Sequence, residues 1–191
     1  MPIKAKTNKK ELPPLVDGVL FSSAQISKRI KDVAGAINRD YKDKDLVIIS
    51  ILKGSFVFLA DLVRQLKVSP EIDFMNVSSY EGDKSTGMVH LHFDIRKDIK
   101  GKDVLLLDDI VDTGISLSFA RNHLKNKEPN SLEVAVLMDK PSKRKVFVPI
   151  RYVGFTISDK FVIGYGLDYN EHLRELPYIG TLKPGVANIN G

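Results

Sequence analysis

The stretch VLLLDDIVDTGIS, residues 104–116, sets three features in a row. Val104 to Leu107 are continuously apolar and read as a buried strand, predicted over 103–108; Asp108 and Asp109 mark its end; Asp112, Thr113, Gly114 and Ser116 make a tight turn before a helix predicted over 116–126. Such turns suit phosphate, because backbone N–H groups at a helix N-terminus, backed by about half a charge of macrodipole, cradle an anion without side-chain neutralisation. The carboxylates suit hydroxyls or a hydrated cation instead. A ligand carrying phosphate, diol and metal together fits both halves. The bland alternative is a parallel strand that happens to end in two acids. The metal-binding half of a nucleotide hydrolase would look similar, but it requires a GxxxxGK[ST] loop that the 191 residues lack.

Outward from this stretch, strand and helix patterns alternate. Ser22 and Gln25 have capping-box spacing ahead of Ile26, Ile30, Val33 and Ile37, which recur at helical period. LVIISIL at 46–52 is β-branched and apolar throughout, as expected of a strand covered on both faces, and runs into Lys53-Gly54-Ser55. A helix with the stripe Phe56, Leu59, Val63, Leu66 follows and ends before Pro70. Strands are predicted near 71–78 and 88–94, around the polar loop from Tyr80 to Gly87, and at 132–138. Val89, Leu91 and Phe93 alternate with His90 and His92, so the histidines should face away from the core; two strand histidines without further donors make a poor metal site. The pattern predicts an α/β fold with an open, mostly parallel sheet flanked by helices. In such sheets ligands bind beyond the carboxyl ends of the strands, so the turns at 53–55, 108–116 and 139–141 should converge there. The strand-rich segment from Val146 onward is expected to join the N-terminal helix in a small hood over the site.

Composition narrows the class. With 43% apolar and 28% charged residues and no apolar stretch near the roughly 20 residues that span a bilayer, the chain reads as globular and soluble. The N-terminus lacks the apolar centre of a secretory signal, and zero cysteines exclude disulfides and thiolate metal sites, so a cytoplasmic location is expected. The net charge of +5 is concentrated in Lys4, Lys6, Lys9 and Lys10; the remaining residues carry 25 basic and 24 acidic side chains, which argues against a nucleic-acid partner. Residues 1–14 therefore read as a flexible basic tail and 15–191 as one domain.

The 104–116 run matches the phosphoribosyl diphosphate signature of the type I phosphoribosyltransferases. LKGS at 52–55, SYEGDKSTG at 79–87 and DKFVIGYGLDYNEHLREL at 159–176 resemble, in order and spacing, landmarks of the hypoxanthine-guanine phosphoribosyltransferases. The similarity spans roughly residues 15–182. It implies purine salvage: transfer of a phosphoribosyl group from 5-phosphoribosyl 1-diphosphate to hypoxanthine or guanine, giving IMP or GMP and pyrophosphate. It also implies Mg2+, a homodimer or homotetramer, and neither a nucleic-acid nor a membrane partner.

The same resemblance assigns roles. Asp108 and Asp109 bind the ribose hydroxyls, directly or through magnesium, and Asp168 makes a second metal contact. Many relatives carry Glu first in the acidic pair, so the shorter Asp108 can turn a direct hydroxyl contact into a water-bridged one. Asp112, Thr113, Gly114, Ile115 and Ser116 hold the 5′-phosphate. Asp112 is also implied as the catalytic base that takes a proton from purine N7, the alternative being a local turn-former. Lys53, Gly54, Ser55 and Arg174 face pyrophosphate, with Ser55 standing where relatives often have glycine; the family also tends to a cis peptide before the loop lysine, which sequence cannot reveal. Lys140, Lys160, Phe161 and Val162 read the base, although a Phe beside β-branched residues is by pattern alone more often core than a stacking platform. Ser79 and Tyr80 open a loop that closes over the ligands in the family, or is a plain surface loop. The alternative to an enzyme is a regulator on the same fold that senses phosphoribosyl diphosphate or binds RNA; a sensor would need no base at Asp112.

Overall fold

A computed structural model describes residues 13–79, 89–183 and 185. The tail expected over 1–14 lies mostly outside the described residues.

Six strands form the main sheet in the order β4-β3-β2-β5-β6-β7: β2 (Leu46–Ile51), β3 (Glu71–Ser79), β4 (Val89–Phe93), β5 (Asp103–Val111), β6 (Ser131–Asp139) and β7 (Tyr152–Thr156). Every pairing is parallel except the β3–β4 edge, so the sheet is open and mostly parallel. The continuous apolar runs of β2 and β5 serve two cores, because alternate residues of a strand point to opposite faces. Leu46, Ile48, Leu105 and Leu107 face one core with helices α1 (Ser23–Asp40) and α2 (Phe56–Val63). Val47, Ile49, Val104 and Leu106 face the other, under helix α3 (Ile115–Lys125).

Helix α1 starts on the expected capping box: the Ser22 hydroxyl accepts from the Gln25 amide and the Gln25 side chain accepts from the Ser22 amide, 2.9 Å away. Its buried face is Ile26, Ile30, Val33, Ala34 and Ile37. Helix α2 departs from expectation. It stops at Val63, and it buries Phe58, Leu59 and Leu62 while Phe56 stays exposed, because the preceding turn sets its rotation. The strand expected to end at Asp108 runs to Val111, since β6 continues alongside and pairs Ile110 with Met138 and Val111 with Asp139. The crossover from β6 to β7 carries only a short 3-10 turn, Pro141–Lys143, and its Val148 and Ile150 fill the α3-side core in place of a helix. His90 and His92 are exposed, as their alternation implied, and His92 meets the Ser78 hydroxyl at 2.8 Å. Among the described residues no group of three or more His, Cys, Asp or Glu side chains is placed to hold a metal.

The hood is a three-stranded antiparallel sheet, β1-β9-β8, of β1 (Val16–Phe21), β8 (Val162–Ile163) and β9 (Ile179–Leu182). Its N-terminal share is this strand; helix α1, expected to join it, packs on the main sheet instead because its Ile and Val stripe matches that sheet's apolar face. Stacking of Phe21 on Phe155, with centroids 3.9 Å apart, fastens the hood strand to β7.

Gly154 on β7 reports how closely the last two strands fit. A Cβ there would sit 2.3 Å from the Leu137 carbonyl oxygen of β6. Gly154→Ala is expected to cost about 1–3 kcal/mol, the scale of core overpacking, read as a lowered urea midpoint with an unchanged m-value; a parental midpoint would refute the close fit.

Candidate active site

Register explains why the predicted turns meet. Leu46 of β2 is level with Asp103 of β5, and Ser50 with Leu107, so continuing the parallel pairing brings Asp109 level with the loop that follows Ile51. The contact is close: a Cβ on Gly54 would lie 1.7 Å from Asp109 Oδ2. Only a residue without a side chain leaves space for that carboxylate. On its other side the Gly54 carbonyl oxygen would lie 2.1 Å from a Cβ on Gly166, whose φ of +97° also demands glycine. Gly54 is thus clasped between the acidic strand end and the segment after β8. The Leu52–Lys53 peptide is cis. Ser55 is fully buried: its hydroxyl donates to the Ile51 carbonyl and lies 2.6 Å from the Ser50 hydroxyl. The Ser55 side chain thus points into the core and ties the turn to β2, so what this residue can offer a ligand is its backbone.

Asp108 is buried and Asp109 half-buried. Burial, and then the charge of Asp109, push the Asp108 carboxyl well above its usual range; burial pushes Asp109 up as well. Two adjacent acids disfavoured as anions are a site short of positive charge. A hydrated divalent cation or sugar hydroxyls would relieve it, so the donor set fits magnesium held jointly with a ligand's oxygens.

Across the cleft the cations are already engaged. Lys53 Nζ is 3.0 Å from Glu171 Oε2, and the Arg174 guanidinium is 3.2 Å from the same oxygen and 2.9 Å from Asp168 Oδ1. Arg174 also donates to the Gly166 carbonyl at 2.8 Å. The second Asp168 oxygen accepts from the Glu171 amide at 2.9 Å. Lys53, then Arg174, hold the Glu171 carboxyl below its ordinary range. Glu171 was missed by sequence reasoning; its spacing of three from Arg174 was the available signal, but its bond to Lys53 spans 118 positions.

The 110–117 turn forms a pocket of 170 Å3 lined by Asp108, Asp112, Thr113, Gly114 and Ser116 among others. Gly114 caps α3 with φ +82°, and the Thr113 hydroxyl accepts from the Ile115 amide at 3.4 Å. The Ile115 side chain does not line the pocket, so any contribution there is its backbone N–H. Asp112 Oδ1 is buried without a hydrogen-bond partner, and Oδ2 is 3.8 Å from Nζ of the buried Lys140. A buried carboxylate oxygen without a partner is costly, so it is open to a donor that a ligand brings.

Phe161 is 47% exposed and meets Tyr169 edge-on at 6.1 Å, which removes the core alternative and leaves its ring face available. Val162 is buried at the start of β8, so only its backbone can read a ligand, and Lys160 is exposed. The Lys143–Asp159 ion pair, at 2.9 Å, draws the Phe161 turn toward the Lys140 turn. Ser79 ends β3, and Tyr80 lies outside the described residues.

Comparison with known proteins agrees with this geometry. Residues 20–170 match the model of the phosphoribosyl transferase domain family. The chain is 47% identical over 167 residues to hypoxanthine phosphoribosyltransferase of Escherichia coli K12, a match covering 86% of this chain and 94% of that protein. It is 48% identical to hypoxanthine-guanine phosphoribosyltransferase of Staphylococcus epidermidis over 169 residues, covering 88% and 94%. Among solved structures, a hypoxanthine phosphoribosyltransferase from Staphylococcus aureus superposes with TM-score 0.85 at 45% identity, covering 88% of this chain and 92% of that one.

Gly54→Ala tests the clasp. The new methyl must displace the Asp109 carboxylate, and misplacing a reacting group by about 1 Å costs about 10²-fold in rate. Phosphoribosyl transfer is expected to fall by about that factor while far-ultraviolet circular dichroism stays parental; activity near the parental level would show that the Asp109 position is immaterial.

Proposed function

The chain belongs to the phosphoribosyltransferase family, and from that premise we propose that it is a purine salvage enzyme. It transfers the phosphoribosyl group of 5-phosphoribosyl 1-diphosphate to hypoxanthine or guanine, yielding IMP or GMP and pyrophosphate. The observation that carries this reading is the placement of Asp112, between the 170 Å3 pocket at the start of α3 and the buried Lys140.

In this reading the 5′-phosphate lies in that pocket on the N–H groups of the 112–116 turn, and the Ser116 and Thr113 hydroxyls add donors. The ribose hydroxyls face Asp108 and Asp109, whose charge is set close to the anomeric carbon as it gains oxocarbenium character. Asp108, Asp109 and Asp168 would hold Mg2+, which would supply charge neutralisation for the leaving pyrophosphate. Lys53, the Gly54 backbone and Arg174 receive the pyrophosphate, whose oxygens replace Glu171 as partner of the two cations. As the C1–O bond to pyrophosphate breaks and the bond to N9 forms, the proton on N7 passes to Asp112. Lys140 donates to the 6-oxo group, Phe161 stacks on the base and the Val162 backbone reads its edge, with Lys160 at the rim. Adenine offers Lys140 no acceptor at that position.

We also place the enzyme in the cytoplasm as a homodimer or homotetramer. A groove of 540 Å3 on the β3–β4 face, lined by Leu52, Phe74 and Phe93 with Asp73, Asp94 and Arg96, exposes two phenylalanines of the kind that subunit contacts cover. The regulatory alternative finds no support among the relatives, which are named as transferases.

Purified protein supplied with phosphoribosyl diphosphate, Mg2+ and single bases is expected to use hypoxanthine or guanine and to leave adenine, and a chelator should abolish turnover. Preference for adenine, uracil or orotate would overturn the base assignment. Asp112→Asn should lower kcat by about 10²- to 10⁴-fold, the usual yield of a positioned base, with little change in KM for phosphoribosyl diphosphate. Equal loss of binding and turnover would make the residue structural.

A further inference from the structure

The phosphate-binding turn is held from behind by the segment that follows β6. The Val111 carbonyl accepts from the Lys140 amide at 2.9 Å, and the Thr113 carbonyl accepts from the Lys145 and Val146 amides at 2.9 and 3.0 Å. Between them the Asp112 carbonyl accepts from a side chain, Arg144 Nε, at 3.2 Å. The other end of that guanidinium pairs with Asp139, the last residue of β6, and both side chains are only 17% exposed. The fit is tight: a Cβ on Gly114 would sit 2.5 Å from the Val146 carbonyl oxygen and 2.8 Å from Arg144 Cδ.

Peptide planarity turns this bracing into aim. In a trans peptide the C=O of one residue and the N–H of the next point in opposite directions. Carbonyls of Asp112 and Thr113 that are held toward the 140–146 segment therefore send the N–H groups of Thr113 and Gly114 the other way, toward the 170 Å3 pocket. Lys145 and Val146 supply main-chain donors that any sequence would offer. The peptide after Asp112 depends on one side chain, and Asp112 also carries the unpaired carboxylate oxygen.

We infer that Arg144 is a positioning residue for the transfer reaction: by bridging Asp139 and the Asp112 carbonyl, it fixes the orientation of the Asp112–Thr113 peptide that binds the 5′-phosphate. The inference rests on the reading of the pocket given above. A planar guanidinium suits the task because it bonds in two directions at once from a fixed geometry, whereas an ammonium placed on Asp139 leaves the Asp112 carbonyl without its Nε donor. Arg144 touches neither sugar nor base in this account. Its effect is exerted through the backbone of Asp112 and Thr113.

Arg144→Lys and Arg144→Met in the full chain test the inference, with ribose 5-phosphate as the calorimetric probe. The lysine variant keeps a cation beside Asp139 and should retain the parental melting temperature to within a few degrees. Both variants are expected to bind ribose 5-phosphate about 10- to 100-fold more weakly, the scale of one lost hydrogen bond to a charged group. KM for phosphoribosyl diphosphate should rise by a similar factor in the lysine variant, while hypoxanthine or guanine affinity in the presence of saturating phosphoribosyl diphosphate changes little. A lysine variant with parental ribose 5-phosphate affinity overturns the inference, and so does a loss of activity that only follows the folded fraction. If the parent protein binds ribose 5-phosphate but uses neither 6-oxopurine, the base assignment falls while the binding comparison still decides the role of Arg144; an active parent with unaltered variants overturns the Arg144 role alone.

Discussion

Parallel pairing of β2, β5 and β6, buried on both faces, is the constraint from which the site follows. Parallel strands deliver their carboxyl ends to one edge, and here the rows are level: Leu46 beside Asp103, Asp103 beside Ser131. Because β5 and β6 run past the end of β2, Asp109 reaches over the Gly54 turn, and Val111 and Asp139 end together beneath the phosphate turn and the Lys140 turn. A slip by one residue would put Asp109 and its neighbours on the wrong faces. The apolar side chains of β2 and β5, shared alternately between two cores, hold that register.

Charge is divided across this edge. Asp108 and Asp109 are buried acids pushed toward protonation, which invites a cation or hydroxyls, while Lys53 and Arg174 are cations occupied by Glu171, which invites an anion. In the proposed reading one extended ligand carrying diol and polyphosphate engages both, and the Asp112 oxygen that lacks a hydrogen-bond partner takes the purine proton.

Much of this was legible in the sequence. Continuous apolar runs announce β2 and β5, the Ser22–Gln25 box announces α1, and the Asp-Thr-Gly turn announces the start of α3, because each is a local signal with a local cause. What escaped depends on tertiary neighbours. The extension of β5 to Val111 is decided by the length of β6, the rotation of α2 by its entering turn, and the inward hydroxyl of Ser55 by Ser50 and Ile51. Phe161 is ambiguous as a pattern, and its exposure removes only the core reading. Glu171 and Arg144 belong to the same class: apart from the i,i+3 spacing of Glu171 and Arg174, their bonds reach partners distant in sequence, Lys53 and the Asp112 carbonyl.

The central claim is that backbone amides of the 112–116 turn grip the sugar's 5′-phosphate while Asp108 and Asp109 face its hydroxyls. A crystal structure with IMP or GMP, Mg2+ and pyrophosphate tests it directly. The account predicts phosphate oxygens within hydrogen-bond distance of the Thr113 and Gly114 amides, with the ribose hydroxyls toward the acidic pair; a nucleotide phosphate seated instead on Lys53 and Arg174 would contradict it.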